Sequence, residues 1–467
     1  MDAWRIKFED VRITCGASDF RIYQQDAAGR ADIAVGGTWD TVPGGKNTTV
    51  KVRLLSEQNF SPVAPALTWT PADEQRPDGT WQHTFRGVPA GGLYEIQTYL
   101  AWTDANGTAA GRLGDTVHHV GVGDLWLLAG QSNSSGTGRG IADDGPEVGV
   151  HVLRNDERWD LAAHPLNDPR GTDHPNRDAN PGTSPWLAAA KLLKRSLGYP
   201  IGLVQAARGG SALVEWHVGE DPAAKLWHNM MHCLHLAGGR VRGMFWYQGC
   251  SDGGQFTPLD PWTYRDRFAS FLELLRREVG PIPVVTAQLN RWTDVDHRPR
   301  VRESFSVIRE MQRQAARLPG VCVVPTLDIP LSDGIHNSSS GNVILGERMG
   351  RAALGFVYGR PGPWASPDLA RARRTEKNRV VVLEFKDVTS QLMFLGFGRH
   401  EFIVSDAQGR ANVQSAVAEG NQVRLMLERP LEGAATVHGG FDIDPPWTLR
   451  DMATNLPALA FHAVPVE

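Results

Sequence analysis

The apolar positions in the first part of the chain alternate with polar ones, which is the period of a half-buried β-strand. Trp4, Ile6 and Phe8 alternate in this way, and residues 50–54 repeat the pattern. Turn-forming residues such as those at 77–79 separate these and other short apolar runs. Strands at this spacing predict a β-sandwich domain over residues 1–118.

From about residue 121 to residue 359 the pattern changes, and short apolar runs alternate with longer segments of helical period. The predicted strands are residues 125–129, 151–154, 201–206, 243–247, 282–289 and 321–327. The predicted helices are residues 184–197, 224–236, 264–279, 301–318 and 340–357. This alternation is typical of an α/β fold in which helices cover both faces of a mainly parallel sheet. We therefore expect one α/β domain over residues 119–360.

Residues at the ends of these segments support the predicted helices. Ser184 followed by Pro185 is typical of a helix start, and Gly198, Gly280 and Gly320 stand where C-terminal glycines are expected. After the Pro-Gly-Pro at 361–363 the short apolar runs return. They predict a second β domain over residues 361–467.

Composition excludes several classes of protein. The 467 residues carry 48 Lys and Arg against 52 Asp and Glu, a net charge of −4, which disfavours binding to a phosphate backbone. The four cysteines form no CxxC motif, which excludes a disulfide scaffold or a thiolate zinc cage as the organising principle. No apolar run reaches the roughly 18 residues of a membrane-spanning helix. We expect neither a nucleic-acid nor a membrane partner.

The first residues, MDAWRIKFED, lack the apolar stretch of a secretory leader. Together with the absence of paired cysteines, this favours a cytoplasmic location, or secretion if a leader has been removed. The sequence says nothing about oligomeric state.

Candidate chemistry follows the predicted strands, at the edge where an open α/β sheet gathers its reactive groups. Ser132 is a hydroxyl that needs an adjacent base, and His336 can be that base while Asp333 orients it. The backbone N–H groups of Ser132 and Gly210 and the side-chain amide of Gln248 could stabilise an acyl oxyanion. Each piece alone is ordinary, because a serine after a strand is most often an N-cap and Asp-Gly is usually a turn. Their joint placement at strand ends of one domain carries the hypothesis.

These residues resemble the SGNH (GDSL-like) hydrolases, in the carbohydrate esterase branch that includes sialate O-acetylesterases and acetyl xylan esterases. GQSN at 130–133, GGS at 209–211, WYQG at 246–249 and DGIH at 333–336 are similar to the four blocks of that family, in its order. The resemblance implies a flavodoxin-like, three-layer α/β/α sheet with flanking β domains. It also implies Gln as the amide donor of the third block, and the Asp and His of a triad in the last.

The chain departs from the family pattern at three points. Ser134 stands where Met usually follows GQSN, and Cys250 stands where the third block usually continues with Glu. No histidine is placed beside Cys250 by motif, so we expect a structural thiol there rather than a nucleophile. The third departure is the absence of a secretion signal.

Other readings compete with this one. An α/β-hydrolase would need a glycine at Ser134, and a P-loop would need a Gly-Lys-Ser/Thr ending that is not present.

His228, His232 and His235 share one helix face at ligand-like spacing, although packing explains that face better. His174 is expected to be a solvated loop residue, with a contact at the rim of a substrate site as the alternative. A non-catalytic carbohydrate-binding protein would suit the β-rich flanks and the 15 Trp residues.

We therefore expect a serine carbohydrate O-acetylesterase that needs no metal or cofactor. Its activity should fall as acid protonates His336. Arg208, Glu215 and Trp216 are candidates for contact with an acetylated carbohydrate, although packing and a surface ion pair explain them equally well. An esterase acting on a non-sugar acyl ester is a second alternative, and the identity of the sugar stays open.

Overall fold

The computed structural model describes residues 10–63, 69–254, 256–293, 299–375, 378–396 and 398–467. The strand predicted around Trp4 and Phe8 lies outside these residues. The strands before the central sheet are β1 (Val11–Cys15), β2 (Ile22–Gln24), β3 (Arg30–Trp39), β4 (Lys46–Ser56), β5 (Thr70–Pro71), β6 (Glu74–Gln75), β7 (Thr80–Pro89) and β8 (Gly91–Thr103).

The N-terminal region contains two sheets around one apolar core. One sheet has the order β1-β3-β7-β6, and in the other β4 pairs with β5 and β8. Alternate residues of β4, namely Val50, Val52 and Leu54, are buried, as the period-2 pattern predicts. They share a cluster with Trp81 and Phe85 of the facing sheet, which is the packing of a sandwich.

The central strands are β9 (Ala109–Gly130), β10 (Val150–Leu153), β11 (Trp159–Leu161), β12 (Ile201–Gln205), β13 (Gly243–Tyr247), β14 (Val284–Ala287) and β15 (Val321–Val324). The α-helices are α1 (Ser132–Ser135), α2 (Trp186–Leu197), α3 (Lys225–Leu236), α4 (Cys250–Gly253), α5 (Tyr264–Val279), α6 (Pro299–Ala315) and α7 (Ser339–Phe356). Short 3₁₀ helices cover Leu213–Trp216, Pro261–Thr263 and Arg399–Glu401.

The central sheet runs β11-β10-β12-β9-β13-β14-β15, and its strands are parallel except for the edge strand β11. Numbered along the chain without that edge strand, the order is 2-3-1-4-5-6. This confirms a parallel α/β sheet, whereas the order 2-1-3-4-5 of flavodoxin itself is not reproduced.

Helices cover both faces of this sheet, and the side chains of β9 show how. Leu125 and Leu127 belong to a buried cluster with residues of α3, α5 and α6. Trp126 and Leu128 point the other way, into a cluster with residues of α2 and α7. A strand buried on both faces explains why the apolar run there is continuous rather than alternating.

Strand β9 also joins two sheets. Its first half pairs antiparallel with β8, from Ala109 to Val122, and its second half pairs with β12 and β13 from Asp124 onward. The boundary predicted between residues 118 and 119 falls inside this strand. Near the crossover, a Cβ on Gly123 would lie 1.9 Å from the carbonyl oxygen of Pro200, so only glycine lets the backbones approach.

One predicted helix start needs correction. Helix α2 begins at Trp186 after Pro185, and the residue that caps it makes no side-chain hydrogen bond, so Ser184 is not its N-cap. The end was predicted correctly, because Gly198 follows the last helical residue with a φ of 81° and its N–H donates to Lys194 O.

The C-terminal region is again built of strands. They are β16 (Asp368–Arg374), β17 (Val380–Lys386), β18 (Leu392–Met393), β19 (Phe402–Asp406), β20 (Gly409–Ala411), β21 (Val413–Glu419), β22 (Gln422–Leu427), β23 (Ala435–Gly439), β24 (Arg450–Asp451) and β25 (Phe461–Val466). The main sheet has the order β20-β19-β23-β25-β16-β17-β22-β21, and β18 pairs with β24.

Buried polar side chains fasten this region to the central one. Arg309 of α6 is fully buried, and its guanidinium donates to the carbonyls of Leu289 (3.0 Å) and Asn290 (2.7 Å) and to that of Ile443 (3.1 Å). Gln288 exchanges two hydrogen bonds with the backbone of Ala460, each 2.9 Å long. The segment after β14 is thereby fixed from the C-terminal side. Among the described residues, no helix is long and apolar enough to cross a lipid bilayer.

Candidate active site

Four loops meet at the carboxyl edge of the central sheet, as predicted. They are residues 130–135 after β9, 208–211 after β12, 248–252 after β13, and 332–337 beyond β15. Three hydrogen bonds connect the first loop to the other three: Arg208 N–H to Gly130 O (2.9 Å), Gly249 N–H to Gln131 Oε1 (2.9 Å) and Asn337 N–H to Asn133 Oδ1 (2.9 Å). Segments far apart in sequence therefore share one edge.

Ser132 lies at a tight strand-to-helix turn. Gly130 has a φ of 119°, and a Cβ there would lie 2.3 Å from Tyr247 O, so the turn requires glycine. The amide oxygen of Gln131 accepts the N–H of Gly249 at 2.9 Å and holds the turn against the third loop. Ser132 is the first residue of α1 and is 9% exposed, so its hydroxyl is held by a rigid turn at the edge of solvent.

His336 connects this hydroxyl to a carboxylate. Its Nδ1 lies 2.7 Å from Asp333 Oδ2, and its Nε2 lies 3.0 Å from Ser132 Oγ. Because a carboxylate only accepts, Nδ1–H donates to Asp333 and Nε2 is left to accept from the serine hydroxyl. The structure thus brings Ser132, His336 and Asp333 into one hydrogen-bonded chain, the geometry of an activated nucleophile.

Asp333 is held as an anion by its own loop. Partial burial raises its pKa, but the backbone N–H groups of Ile335 (2.9 Å) and His336 (2.7 Å) and the imidazole outweigh that effect. The net result is a pKa below the usual value for an aspartate. A turn that closes on its own carboxylate explains the three-residue spacing between Asp333 and His336.

Two buried asparagines hold the backbone on either side of His336. The carbonyl of Ile335 accepts from Asn133 Nδ2 at 3.2 Å and from Asn290 Nδ2 at 2.8 Å. Asn133 Oδ1 accepts the N–H of Asn337. Asn133 therefore positions His336 relative to Ser132, its neighbour in sequence. Asn290 was not singled out from the sequence, because nothing marks it before the fold is known.

The predicted oxyanion donor Gln248 is fully buried, and its amide is already engaged. Its Nε2 donates to Asp252 Oδ2 (2.6 Å) and Ser211 O (3.1 Å) and lies 3.3 Å from Gln131 Oε1, while its own oxygen accepts from the hydroxyl of Tyr264. Donation to a substrate oxygen would require one of these bonds to be given up. Its oxyanion role stays a prediction.

Asp252 is a buried carboxylate that sequence reasoning missed. It receives hydrogen bonds from Gln248 and from the N–H of Leu213 (3.1 Å), and Arg267 lies 3.4 Å away. Burial raises its pKa in spite of these partners. It lies two residues after Cys250, so the third loop contains a carboxylate although the family's glutamate position does not.

Gly210 lies exposed beside the same loops. Its φ of 74° favours glycine, and nothing lies within 4 Å of the position a Cβ would take. The hydroxyl of Ser251 donates to its carbonyl at 3.0 Å, which ties the second block to the third. Its role as an N–H donor to substrate stays a prediction.

The three candidate sugar contacts are placed differently from one another. Trp216 is fully buried and donates its ring N–H to Ser211 Oγ at 3.1 Å, so it has no face to offer a sugar. Glu215 accepts the N–H of Ala212 at 2.6 Å and closes its own 3₁₀ turn. Both are local structural residues, which corrects the prediction. Arg208 is partly exposed and remains a candidate.

Cys250 and Ser134 are interior residues. Cys250 is 4% exposed, and burial raises its pKa to about 12, which suppresses the thiolate that a nucleophile needs. Ser134 is fully buried and donates to Ala129 O at 2.8 Å. Ser134 therefore replaces the family's Met with an interior hydrogen bond, and Cys250 has the environment expected of a structural thiol.

An aromatic pair stands between the third and fourth loops. Phe256 is 73% exposed, and its ring centre lies 6.3 Å from that of Trp292. The N–H of Thr293, next to Trp292, donates to Gly334 O at 2.7 Å, one residue from Asp333. Phe256 therefore offers an exposed aromatic ring near the fourth loop, and the partly buried Trp292 supports it, whereas Trp216 has no exposed face.

The histidines of α3 do not come together as their spacing suggested. His232 instead lies 2.8 Å from Glu157 Oε1, which also lies 3.0 Å from Nε2 of His174. We name Glu157, His174 and His232 the His–Glu cluster. Among the described residues it is the one group of three or more His, Cys, Asp or Glu with metal-ligand geometry, and His228 and His235 are not part of it.

Comparison with known proteins identifies the family. A family model described as carbohydrate esterase, sialic acid-specific acetylesterase, matches residues 122–355. A probable carbohydrate esterase of Arabidopsis thaliana is 26% identical over 254 residues, 49% of this chain and 90% of that protein. Human sialate O-acetylesterase is 24% identical over 237 residues, 42% of this chain and 43% of that enzyme, so the chain matches less than half the length of that relative.

A solved structure extends the likeness of fold to nearly the whole chain. The crystal structure of a carbohydrate acetylesterase from Xanthomonas citri covers 96% of this chain and 98% of its own, with a TM-score of 0.66 and 23% identity. At that identity the likeness shows a common fold, flanking β regions included.

The family match places the chain among carbohydrate esterases, a class of carboxylic ester hydrolase, and the α/β fold is the one that the SGNH resemblance implied. The chain belongs to the family of carbohydrate esterases described as sialic acid-specific acetylesterases.

Proposed function

We propose that this protein is a carbohydrate O-acetylesterase in which Ser132 is the nucleophile, His336 the general base and Asp333 the residue that orients it. The observation that carries the proposal is the chain of hydrogen bonds from Ser132 Oγ through His336 to Asp333, with distances of 3.0 and 2.7 Å. Membership of a carbohydrate esterase family supplies the substrate class.

The chemistry follows from that order of atoms. Ser132 Oγ attacks the acetyl carbonyl carbon as its proton passes to His336 Nε2. The imidazolium is stabilised by Asp333 and returns the proton to the sugar oxygen, which leaves as an alcohol. Water, deprotonated by His336, then releases acetate from the acyl-serine. Each proton accepted is returned, so no metal or cofactor enters the cycle.

The oxyanion needs donors in place before the reaction. We assign the backbone N–H groups of Ser132 and Gly210 to this role, and Gln248 as a third donor that must exchange one present acceptor for the substrate. Asp252 is the strongest of those acceptors, at 2.6 Å. Substitution of Gly210 by alanine would also strain a backbone at positive φ.

The sugar itself needs a surface, and we assign that role to Phe256 and Trp292. Aromatic rings present a flat apolar face, which suits the C–H faces of a pyranose. Arg208 is a partly exposed cation that could pair with the carboxylate of a sialic acid. A neutral acetylated sugar such as a xylo-oligosaccharide would not need it.

One panel of substrates tests both parts. Wild type, Ser132→Ala, Phe256→Ala and Arg208→Gln are assayed on p-nitrophenyl acetate, acetylated xylo-oligosaccharides and O-acetylated sialic acid. We expect Ser132→Ala to lose every activity. Phe256→Ala should raise the KM for sugars only, and Arg208→Gln should raise it for sialic acid only if that is the substrate.

The alternatives give different results on the same panel. Equal rates from wild type and Ser132→Ala on every ester would favour a carbohydrate-binding protein without catalysis. Hydrolysis of p-nitrophenyl acetate without release of acetate from any sugar would favour an esterase for a non-sugar ester.

A further inference from the structure

The His–Glu cluster brings together three side chains from separate parts of the central region. Glu157 lies in the turn between β10 and β11, His174 in the long loop that follows, and His232 on α3. Their ligand atoms all lie within 4.8 Å of one another. The closest approaches are both to the same atom, Glu157 Oε1.

The two imidazoles present their Nε2 atoms to the carboxylate, which is the arrangement of a His₂Glu metal site. A tetrahedral ion with ligand bonds of about 2.0–2.1 Å needs ligand atoms about 3.3 Å apart. The two His–Glu distances of 2.8 and 3.0 Å are within about half an ångström of that value, and all three ligand atoms lie within 4.8 Å of one another. A bound ion would bring the three distances to a common value.

A second residue orients one of these ligands. Nδ1 of His174 lies 3.0 Å from the amide oxygen of Asn229, a buried residue of α3. A hydrogen bond from Nδ1–H fixes the tautomer in which Nε2 carries the lone pair, as is usual for a metal-binding histidine. With that tautomer neutral, Nε2 and the carboxylate would face each other as two acceptors. A proton on Nε2 of His174, or a cation between Nε2 and the Glu157 carboxylate, would remove this repulsion between two acceptors.

Exposure leaves room for the remaining ligands. The side chains of Glu157 and His232 are 45% and 46% exposed, and that of His174 is 19% exposed. An ion held by three protein ligands would therefore complete its shell with water. Imidazole nitrogen with one carboxylate suits Zn²⁺ and similar divalent transition metals, whereas Mg²⁺ and Ca²⁺ prefer shells of oxygen.

We propose that Glu157, His174 and His232 bind one divalent transition-metal ion of the zinc type. The ion joins the β10–β11 turn, the long loop and α3. Its two histidine ligands, His174 and His232, lie 17 and 75 residues after Glu157 along the chain. It is a structural site, because no bond of the cluster leads directly to Ser132. The proposal is independent of the proposed esterase function.

The long loop connects this site to the wall of the candidate active site. The N–H of His174 donates to Thr172 Oγ1, which itself donates to Asn155 O. Arg177 follows in the same loop, and its carbonyl accepts a hydrogen bond from Arg208. An ion bound to His174 therefore restrains the loop that contacts Arg208 without touching the reacting groups.

The test is metal binding by protein without a histidine tag, freed of metal by a chelator. Zn²⁺ is titrated by calorimetry, Co²⁺ is used as a spectroscopic probe, and the melting temperature is followed with Zn²⁺ or Mg²⁺. We expect one Zn²⁺ per chain, absorption bands of a Co²⁺ site with nitrogen ligands, and a melting temperature that Zn²⁺ raises and Mg²⁺ does not.

Variants assign the site. Glu157→Gln and His232→Asn should weaken Zn²⁺ binding at least tenfold or abolish it, and Asn229→Ala should weaken it by about tenfold through His174. The matched control is His235→Asn, which removes another exposed histidine of α3 and should bind as wild type does. Retained hydrolysis of p-nitrophenyl acetate and an unchanged circular dichroism spectrum show that each variant is folded.

Two outcomes would overturn the proposal. One is the absence of stoichiometric Zn²⁺ binding to the wild-type protein, which would leave the cluster as ion pairs of protonated histidines with Glu157. The other is binding that survives both Glu157→Gln and His232→Asn, or that His235→Asn reduces as much as they do.

Discussion

The Ser132–His336–Asp333 chain and the His–Glu cluster each place imidazole against carboxylate, yet they are built differently. In the first, Asp333 accepts two backbone N–H groups, and Asn133 brackets the backbone on both sides of His336. In the second, side chains contact one another, Glu157 and His232 are about half exposed, and the further contact to His174 comes from the side chain of Asn229. Side chains that transfer a proton must be oriented by the fold before substrate binds. Metal-binding side chains can instead be oriented by the ion when it binds.

The largest expected effect tests the fixed site. Ser132→Ala removes the proposed nucleophile and should lower kcat for p-nitrophenyl acetate by about 10³- to 10⁶-fold. Because the hydroxyl lies at the edge of solvent, the melting temperature should change little. Stopped assays of acetate release at matched protein concentration give the ratio. A loss below tenfold would mean that Ser132 is not the attacking group.

Asp333→Asn is the next largest change. It keeps the shape of the side chain but removes the charge that orients and stabilises His336, and we expect a loss of about 10²- to 10⁴-fold in kcat. The rate should be measured across the pH range beside Asp333→Ala. A loss from Asp333→Asn as small as threefold would contradict a role for the carboxylate.

Asp333→Asn should also change how the free energy of unfolding depends on pH. The pKa of Asp333 is lowered in the folded protein, so its charge stabilises the fold above the ordinary pKa of aspartate and this contribution is lost as pH falls through the lowered pKa. The gap in unfolding free energy between wild type and Asp333→Asn should be larger at pH 7 than at about pH 3. Urea denaturation at both values measures it, and an equal gap would contradict the lowered pKa.

Asn133→Ala tests whether orientation comes from the fold. It leaves the carbonyl of Ile335 with one donor fewer and frees the N–H of Asn337 from its acceptor. We expect kcat to fall about 10- to 100-fold and stability to fall by about 1–3 kcal/mol, because the site is buried. The control is Asn180→Ala, which changes an exposed asparagine that does not contact the backbone around His336. Equal effects of the two substitutions would contradict a positioning role for Asn133.

The smallest expected effect on catalysis comes from the His–Glu cluster. Removal of metal by a chelator should lower the melting temperature while changing kcat for p-nitrophenyl acetate by less than about twofold, because a serine mechanism needs no metal. Kinetics and thermal unfolding on the same sample separate these effects. A large loss of kcat that Zn²⁺ restores would show that the two sites are coupled.

The sequence predicts the parts of the molecule that depend on local pattern. The period-2 alternation at 50–54 became β4, the runs after residue 121 became the parallel sheet, and strand ends located Ser132 and His336. A reactive group that directly follows a strand inherits its position from the sheet. Ser132 follows β9 in this way, whereas His336 lies 12 residues beyond Val324 and was predicted together with the family's DGIH block.

What the sequence could not predict depends on long-range packing. In the sequence, Trp216 was as consistent with packing as with a sugar contact, and only its short 3₁₀ helix shows that it is buried. Asp252 is one carboxylate among many until the fold places Gln248 against it. The His–Glu cluster joins residues up to 75 positions apart through a loop path that no local pattern encodes.

The continuity of β9 limits where the molecule can be divided. Since Ala109–Gly130 is one strand shared by two sheets, a fragment starting at residue 119 would open the backbone edge that β8 covers along Val120 and Val122. Such an unpaired edge invites association with other chains. A fragment that contains the central sheet would therefore have to begin no later than Gly91. It would then keep β8 paired with β9, the strand that ends at the Ser132 turn.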